Sequence, residues 1–393
     1  MKTLFKNYVI CMICAIGCIS QAAAQIATIP FTSEGLMYVK VKINDHKEPL
    51  NFVFDTGAST VVLDEKVAER IGVKANYQQP TTGASGTEMY NIALSQKFQI
   101  GDIVLKDAHT VLVDLERLSK RGNFQIDGII GANVMKEYVT QIDFDAEVLR
   151  LYKSVEDISE QSGYTALDVE IDYATIPEIN LEFTLDTNQK FSGNFLFDSG
   201  ANMTFLLNTP FAKEKNIENL LSKTIETKAE SLTTSSNFKI GKVASAQLAD
   251  FMFDEMPMDI SNSTSGVMAS KEYAGILGIK IISRFNCILD YANAKIYLKP
   301  NKTYEDAFEF PRSGIALSRE KNMIKITNVI ADTEAHEKGV RKGDQLLEID
   351  GVAADNIGKC KELLKQKDKT VQLKLKDEKG AVKVVSILLK RLI

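Results

Sequence analysis

Two short stretches of this sequence could bring two carboxyl groups to one site. Phe52–Ala58 reads Phe-Val-Phe-Asp-Thr-Gly-Ala, and Phe195–Ala201 reads Phe-Leu-Phe-Asp-Ser-Gly-Ala. Their aspartates, Asp55 and Asp198, lie 143 residues apart. A single Asp-(Ser/Thr)-Gly arises often by chance, whereas two copies that share an apolar lead-in and a following Ala are hard to obtain by accident. The matched pair therefore indicates a function.

Two carboxyl groups within hydrogen-bonding distance cannot both ionise cheaply, so they share one proton. Such a pair can take a proton from water while it gives one to a carbonyl oxygen. Gly57 and Gly200 would let the two loops turn sharply, with positive φ if required. The hydroxyls of Thr56 and Ser199 could bond across to the opposite loop. The alternative is that both stretches are ordinary Asx turns after strands.

The elements that must position the aspartates occur twice in the same order. Each aspartate follows an apolar run that predicts a buried strand. Ile-Ile-Gly at 129–131 and Ile-Leu-Gly at 276–278 follow at nearly the same distance, and each unit ends in a hairpin pattern. Many short strands separated by turns predict a mainly β fold. We expect two tandem units of one topology, residues 25–153 and 154–300.

Two further segments of the first unit have a predicted structure. Val61–Ile71 has helical spacing and a stop signal near Gly72. The small residues of Thr81–Thr87 predict a mobile hairpin tip between extended segments, and the alternative is an ordinary exposed β-turn. The residues assigned to this tip are Gly83, Ala84, Ser85 and Gly86.

Residues 1–24 have the pattern of a secretory signal peptide. Lys2 and Lys6 precede an apolar run, and Ala22–Ala24 offers a cleavage site before Gln25. Loss of these two lysines takes the formal charge from −5 to −7, which gives no basic footprint for nucleic acid. We expect an exported protein, periplasmic or secreted; a lipoprotein anchored at Cys18 is the alternative.

The mature chain offers little for disulfides or metals. Cys287 and Cys360 lie far apart, which excludes a disulfide framework and leaves open only a single bridge. His46, His109 and His336 are isolated, so neither a metal site nor a His-dependent triad is expected. We expect no cofactor.

A third, smaller unit is predicted at residues 312–393, after a linker at 301–311. Its pattern includes a strand at Met323–Ile330 and a helix from about Asn356 to Lys367 with one apolar face.

The repeated motifs resemble those of the aspartic proteases. Each unit has about the size of one retropepsin subunit, and the tandem arrangement is similar to the single-chain pseudo-dimer of pepsin-type enzymes. The resemblance implies two retropepsin-like β-barrel lobes with Asp55 and Asp198 as the catalytic dyad. It further implies support of the active-site loops by Thr56, Gly57, Ser199 and Gly200, and bracing by Gly131 and Gly278.

Two departures from the family pattern affect this interpretation. Asn202 occupies a position where retropepsins prefer Ser or Thr, although pepsin-type enzymes accept Asn there. The second hairpin candidate, Glu230–Asn237, lacks the glycines of the first. We therefore expect only the first hairpin to close over substrate.

The third unit resembles a PDZ domain of the bacterial protease-associated type, chiefly through Gly343–Gly351 (Gly-Asp-Gln-Leu-Leu-Glu-Ile-Asp-Gly). The family binds chain ends by adding a strand beside its own edge. The resemblance places that groove at Gly314, Ile315 and Ala316, with a structural or autoinhibitory role as the alternative. The whole architecture is similar to that of exported aspartyl proteases of Bacteroidetes with an attached PDZ domain.

The resemblance implies an aspartic endopeptidase whose dyad activates water, with the PDZ domain recruiting or gating peptide substrate. The implied partners are a peptide or protein substrate and a peptide C-terminus at the PDZ domain, and we expect a monomer. One alternative is a catalytically inactive exported peptide-binding or scaffold protein on the same fold. Another is a processing enzyme with one dedicated partner.

Overall fold

The computed structural model describes residues 25–83, 86–171, 176–230 and 235–393. The predicted signal peptide, together with Ala84 and Ser85 of the hairpin tip, lies outside the described residues. The chain is mainly β, as the sequence predicted, with short helices between the strands. Within the described ranges, we find no helix with both the length and the apolar character that crossing a membrane requires.

The first lobe is built from ten strands and three short helices among the described residues. The strands are β1 (Ala27–Ser33), β2 (Met37–Ile43), β3 (Leu50–Phe54), β4 (Val61–Asp64), β5 (Tyr77–Gly83), β6 (Gly86–Ile100), β7 (Ile103–Val113), β8 (Gly128–Ile130), β9 (Val139–Asp143) and β10 (Val148–Tyr152). The helices are α1 (Glu65–Ile71), α2 (Glu116–Ser119) and α3 (Ala132–Met135).

The helix predicted over Val61–Ile71 is only partly correct. Its first four residues form β4, which pairs in parallel with β7. The helix begins after Asp64, whose side chain accepts a hydrogen bond from the Val67 N–H at 3.0 Å and so caps the first turn. It ends at Ile71, and Gly72, the predicted stop signal, follows in the left-handed conformation.

The second lobe repeats this plan. Its strands are β11 (Thr165–Asp168), β12 (Glu170–Ile171), β13 (Pro177–Leu185), β14 (Lys190–Asp198), β15 (Phe205–Leu207), β16 (Ile225–Glu230), β17 (Ser235–Leu248), β18 (Phe251–Phe253), β19 (Met256–Ser261), β20 (Gly275–Gly278), β21 (Phe285–Asp290) and β22 (Lys295–Pro300). Its helices are α4 (Thr209–Glu214), α5 (Ile217–Leu220) and α6 (Ile279–Ile282).

The strand pairing around the two motifs confirms the internal repeat. In the first lobe β3 pairs in parallel with β8, and β4 pairs antiparallel with β8. In the second lobe β14 pairs in parallel with β20, and β15 pairs antiparallel with β20. The motif phenylalanines Phe52, Phe54, Phe195 and Phe197 are all fully buried. Each motif aspartate is therefore held at the end of a central, buried strand.

A six-stranded part of the largest sheet joins the lobes, in the order β11-β22-β21-β9-β10-β1. We call it the platform. The two lobes meet where β21 pairs antiparallel with β9, with Cys287 opposite Ile142. One hydrophobic core continues through both lobes and the platform, from Ala27 to Leu298. Cys287 is buried in this core as a free thiol.

The third unit has a separate core. Its elements are β23 (Ile315–Glu320), β24 (Met323–Val329), α7 (Glu334–Glu337), β25 (Gln345–Ile349), β26 (Val352–Ala353), α8 (Ile357–Leu363), β27 (Thr370–Lys376) and β28 (Val382–Leu388). The sheet order β23-β24-β25-β27-β28 places β23 at one edge. Asn356 caps α8, which is shorter than predicted and buries the free thiol Cys360.

Candidate active site

The loops that follow β3 and β14 bring the two motif aspartates together. The carboxyl groups of Asp55 and Asp198 hydrogen-bond to each other. Asp55 Oδ1 accepts hydrogen bonds from the N–H of Gly57 at 2.7 Å and from the N–H of Gly200, in the opposite loop, at 3.1 Å. Asp198 Oδ1 accepts from the N–H of Gly200 at 2.8 Å. Two carboxyl groups 143 residues apart in sequence thus form one hydrogen-bonded site.

The two motif glycines are needed for space and not for positive φ. Neither Gly57 nor Gly200 is among the glycines with positive φ, so the turns do not require that conformation. A Cβ on Gly57 would lie 2.5 Å from Cγ of Asp198, and a Cβ on Gly200 would lie 2.3 Å from Oδ2 of Asp55. Each glycine therefore makes room for the carboxyl group of the opposite lobe.

Thr56 and Ser199 lock the two loops to each other, as their hydroxyls suggested. The Thr56 hydroxyl donates to the carbonyl of Phe197 at 2.6 Å and accepts from the Ser199 N–H at 2.9 Å. The Ser199 hydroxyl donates to the carbonyl of Phe54 at 3.2 Å and accepts from the Thr56 N–H at 3.0 Å. All four bonds cross between lobes in the buried interior, where an unpaired polar group is costly. We call this set of bonds the cross-lobe grip.

Gly131 and Gly278 lie where the resemblance placed them, directly behind the aspartate loops. A Cβ on Gly131 would lie 1.8 Å from the carbonyl oxygen of Asp55, and one on Gly278 would lie 2.3 Å from that of Met203. The residues that follow these glycines bind the loops through their backbone, since Ala132 N–H donates to Ala58 and Ile279 N–H donates to Ala201. Both loops are therefore fixed in the same way.

The electrostatics of the pair are uneven. Burial raises the pKa of both carboxyl groups, because it disfavours their charged forms. The pKa of Asp198 is raised well above its usual value, by burial and then by the negative charge of Asp55. The hydrogen bond from Asp198 and the two glycine amides oppose the rise at Asp55. The backbone N–H groups of Gly200 and Ala201 likewise oppose the rise at Asp198, and the coupled pair shares one proton.

The first hairpin reaches across to the second lobe. Strands β5 and β6 pair up to Gly83 opposite Gly86. A Cβ on Gly86 would lie 3.5 Å from the Ser265 hydroxyl of the second lobe. Strands β16 and β17 form the corresponding hairpin of the second lobe, paired up to Glu230 opposite Ser235. The closing motion of the first hairpin remains a prediction.

Apolar clusters flank the aspartate loops on both sides. In the first lobe, Tyr38 and Ile129 belong to a buried cluster that partly buried Ala58 contacts. In the second lobe, a cluster with Leu206 packs against Ala201. Burial, with a smaller contribution from Glu34, raises the pKa of Tyr38 to about 12. Nothing local in the sequence distinguishes the residues of these clusters from ordinary core residues, so they were not predicted.

Asn202, one of the departures from the family pattern, contacts the other lobe. Its side-chain nitrogen would lie 2.5 Å from a Cβ on Gly35, in the turn between β1 and β2. Gly35 has a positive φ of 73° and no side chain, and both features let the turn approach the side-chain amide of Asn202. Asn202 therefore lies in the interface between the two lobes.

The residues assigned to the peptide groove lie at the beginning of the edge strand β23. Gly314 has a positive φ of 69°, and a Cβ there would lie 2.7 Å from the Thr333 hydroxyl. Ile315 and Ala316 open β23 and pair with β24 on one side only. Among the described residues, no group of three or more His, Cys, Asp or Glu side chains is arranged to hold a metal ion.

Two parts of the chain match known protein families. Residues 39–134 match the family model described as aspartyl protease, and residues 311–376 match that of the PDZ domain. The first of these matches contains the Asp55 loop and Gly131 but ends before the second lobe.

One curated relative is DNA damage-inducible protein 1 of Kluyveromyces lactis, which is 25% identical over 126 residues. That match covers 31% of this chain and only 27% of the relative. The crystal structure of an aspartic proteinase from Irpex lacteus matches with a TM-score of 0.45 and 12% identity, over 71% of this chain and 98% of that one. This chain thus combines an aspartyl protease domain, matched within its first lobe, with a PDZ domain near its C-terminus.

Proposed function

We propose that this protein is an aspartic endopeptidase in which Asp55 and Asp198 activate a water molecule. The observation that carries the proposal is the hydrogen bond between these two carboxyl groups, in a site where burial raises the pKa of both. Outside a functional site, two like acids so close together would be destabilising. The proposed role of the dyad also agrees with the aspartyl protease match over the first lobe.

The difference between the pKa shifts of the two carboxyl groups suggests a role for each of them. In the proposed assignment Asp55 is the ionised member and takes a proton from the attacking water, since the pKa of Asp198 is the one raised well above its usual value. Asp198 holds the shared proton and gives it to the carbonyl oxygen of the substrate. The resulting tetrahedral species has gained a C–O bond. Its C–N bond breaks when Asp55 passes the proton taken from water to the leaving nitrogen and Asp198 takes back a proton from a hydroxyl on the tetrahedral carbon, which restores the dyad. No covalent intermediate with the enzyme forms.

The substrate would be an extended peptide that lies in the cleft between the lobes. The apolar clusters beside Ala58 and Ala201 would take apolar side chains on either side of the cut bond. The β5–β6 hairpin, which already reaches Ser265, would cover the peptide. We also propose that the protein is exported, on the basis of the pattern at residues 1–24.

The test is cleavage of denatured casein and of a peptide library by the Asp198→Asn variant. We expect at least a ~10³-fold loss of kcat/KM, because the variant can neither hold nor return the shared proton. Asp102→Asn, in the exposed turn between β6 and β7, is the matched control and should keep full activity. Normal cleavage by Asp198→Asn would exclude the proposed mechanism.

If the wild-type protein cleaves neither casein nor library peptides, two further readouts separate the alternatives. A pepstatin-type inhibitor that raises the melting temperature without any detectable cleavage would favour an inactive peptide-binding protein. Cleavage of a single protein in a lysate of the source organism, abolished by Asp198→Asn, would favour a dedicated processing enzyme.

A further inference from the structure

A loop of the first lobe lies against the edge of the PDZ domain where a peptide would add. We call residues 119–124 the docking loop. The carbonyl of Lys120 accepts a hydrogen bond from the backbone N–H of Arg319, on β23, at 2.8 Å. This is the kind of bond that an added strand makes with a sheet edge. The docking loop therefore already uses part of the edge that a peptide would need.

The same loop contacts helix α8, which lies next to β23. The N–H of Gly358 donates to Oδ1 of Asn123 at 3.0 Å, and the Lys361 ammonium donates to the carbonyl of Arg121 at 2.5 Å. The Arg319 guanidinium also donates to the carbonyl of Asn123 at 3.3 Å. A Cβ on Gly358 would lie 2.3 Å from the Asn123 side chain, so this glycine leaves room for it. The docking loop thus bridges β23 and the neighbouring helix α8.

We propose that the docking loop and a peptide C-terminus compete for the groove between β23 and α8. Strand β23 begins beside Gly314 and leads away from it. A peptide that pairs with β23 while its C-terminus is held at Gly314–Ala316 must therefore run antiparallel to the strand. Arg319 lies four residues beyond Ile315, about 13 Å along the strand. A peptide of five or more residues therefore reaches the backbone N–H that Lys120 occupies, whereas a tripeptide stops short of it.

Displacement of the docking loop would also change contacts beside the cleft between the lobes. The Asn123 amide donates to the Glu34 carboxylate at 2.8 Å, and Glu34 lies in the turn whose Gly35 contacts Asn202. The ring of Phe124 packs on that of Tyr38 with centroids 5.0 Å apart. Both contacts end in residues beside the aspartate loops, so a displaced docking loop would give up contacts at the wall of the cleft.

The test measures peptide capture by the full-length protein, so it does not depend on peptidase activity. The probe is an immobilised library of eight-residue peptides with free C-terminal carboxylates. The same peptides with amidated C-termini are the control, and peptides captured only in the carboxylate form are recognised by their chain end. We expect Asn123→Ala to bind the captured peptides about tenfold more tightly than the wild type, since it removes hydrogen bonds of the competing loop. Asn180→Ala, a change on the exposed face of β13, should bind like the wild type.

Equal affinity of the Asn123→Ala and wild-type proteins, or no carboxylate-dependent capture by either, would overturn the proposal. Hydrogen exchange of the wild type supplies a second readout in case Asn123→Ala does not fold. A captured octapeptide should accelerate amide exchange at residues 119–124, whereas its three C-terminal residues alone should not. Unchanged exchange in these residues with bound octapeptide would also contradict the competition. Peptidase failure alone would leave both readouts intact, which separates this proposal from the proposed function.

Discussion

At the scale of single residues, the geometry of the site depends on the small size of Gly57 and Gly200 as well as on the two aspartates. A methyl group on Gly200 would fall 2.3 Å from the Asp55 carboxylate, inside van der Waals contact. We expect Gly200→Ala to lower kcat/KM by about 10²-fold or more, because it displaces one carboxyl group from the other. The measurement is steady-state kinetics together with a thermal melt.

Gly72→Ala is the matched control for this change. Gly72 has a positive φ of 78°, and its added Cβ would meet nothing within 4 Å. The control should therefore lose about 1 kcal/mol of stability through backbone strain and keep its activity. If Gly200→Ala retained activity within twofold of the wild type, the close packing of glycine and carboxylate would have no role in catalysis.

The shared proton also determines how activity depends on pH. Only the form with one proton on the pair contains both a base and an acid. Activity should therefore fall at low pH, where both groups are protonated, and at high pH, where the pair loses its shared proton. Because the pKa of Asp198 is raised well above its usual value, the alkaline fall should lie well above the ordinary range of a carboxyl group. A pH profile of kcat/KM tests this, and a single fall at the usual carboxyl pKa would contradict it.

The same raised pKa has a consequence for stability with a defined sign. A carboxyl group whose pKa is higher in the folded state stabilises the fold below its unfolded pKa, and this stabilisation is lost as pH rises through the folded pKa. The amide in Asp198→Asn cannot ionise, so the variant does not lose this stabilisation as pH rises. We therefore expect the inactive variant to be at least as stable as the wild type at neutral pH, measured by urea unfolding. A clear destabilisation at pH 7 would show that the Asp198 carboxyl is not held at a raised pKa.

At the scale of elements, the two aspartate loops form one unit through the cross-lobe grip. Thr56→Val keeps the shape of the side chain but leaves the Phe197 carbonyl and the Ser199 N–H without their buried partner. We expect a loss of about 2–3 kcal/mol in the free energy of unfolding, with a fall in kcat. Thr60→Val is the control, because the Thr60 hydroxyl donates to the His109 carbonyl at an exposed site and its loss should cost about 0.5 kcal/mol. Equal losses in the two variants would argue against the grip.

Sequence patterns were informative about elements where the pattern is local. The aspartate strands, the β5–β6 hairpin and the third unit follow from alternation, apolar runs and turn residues. Val61–Ile71 was predicted as a single helix because its first residues become a strand only by pairing with β7, almost 50 residues later. The platform and the docking loop depend on contacts between distant segments, such as Cys287 with Ile142 and Arg319 with Lys120. An apolar strand does not specify its partner, so no local signal could reveal them.

At the scale of the whole molecule, the cores predict how the protein unfolds. A single core continues through both lobes and the platform, whereas the PDZ domain has its own. We therefore expect two calorimetric transitions, one for both lobes together and one for the PDZ domain.

Leu289 and Leu373 are matched probes of this arrangement, since both are leucines with 0% exposure, one in the platform and one in the PDZ core. Each change to Ala should cost about 2–5 kcal/mol by leaving a cavity. Leu289→Ala should lower the transition of the lobes as one unit, because β21 joins β9 directly, and Leu373→Ala should lower only the other transition. If Leu289→Ala split the first transition into two, the lobes would be separate folding units, and the platform would not hold the two aspartates in register.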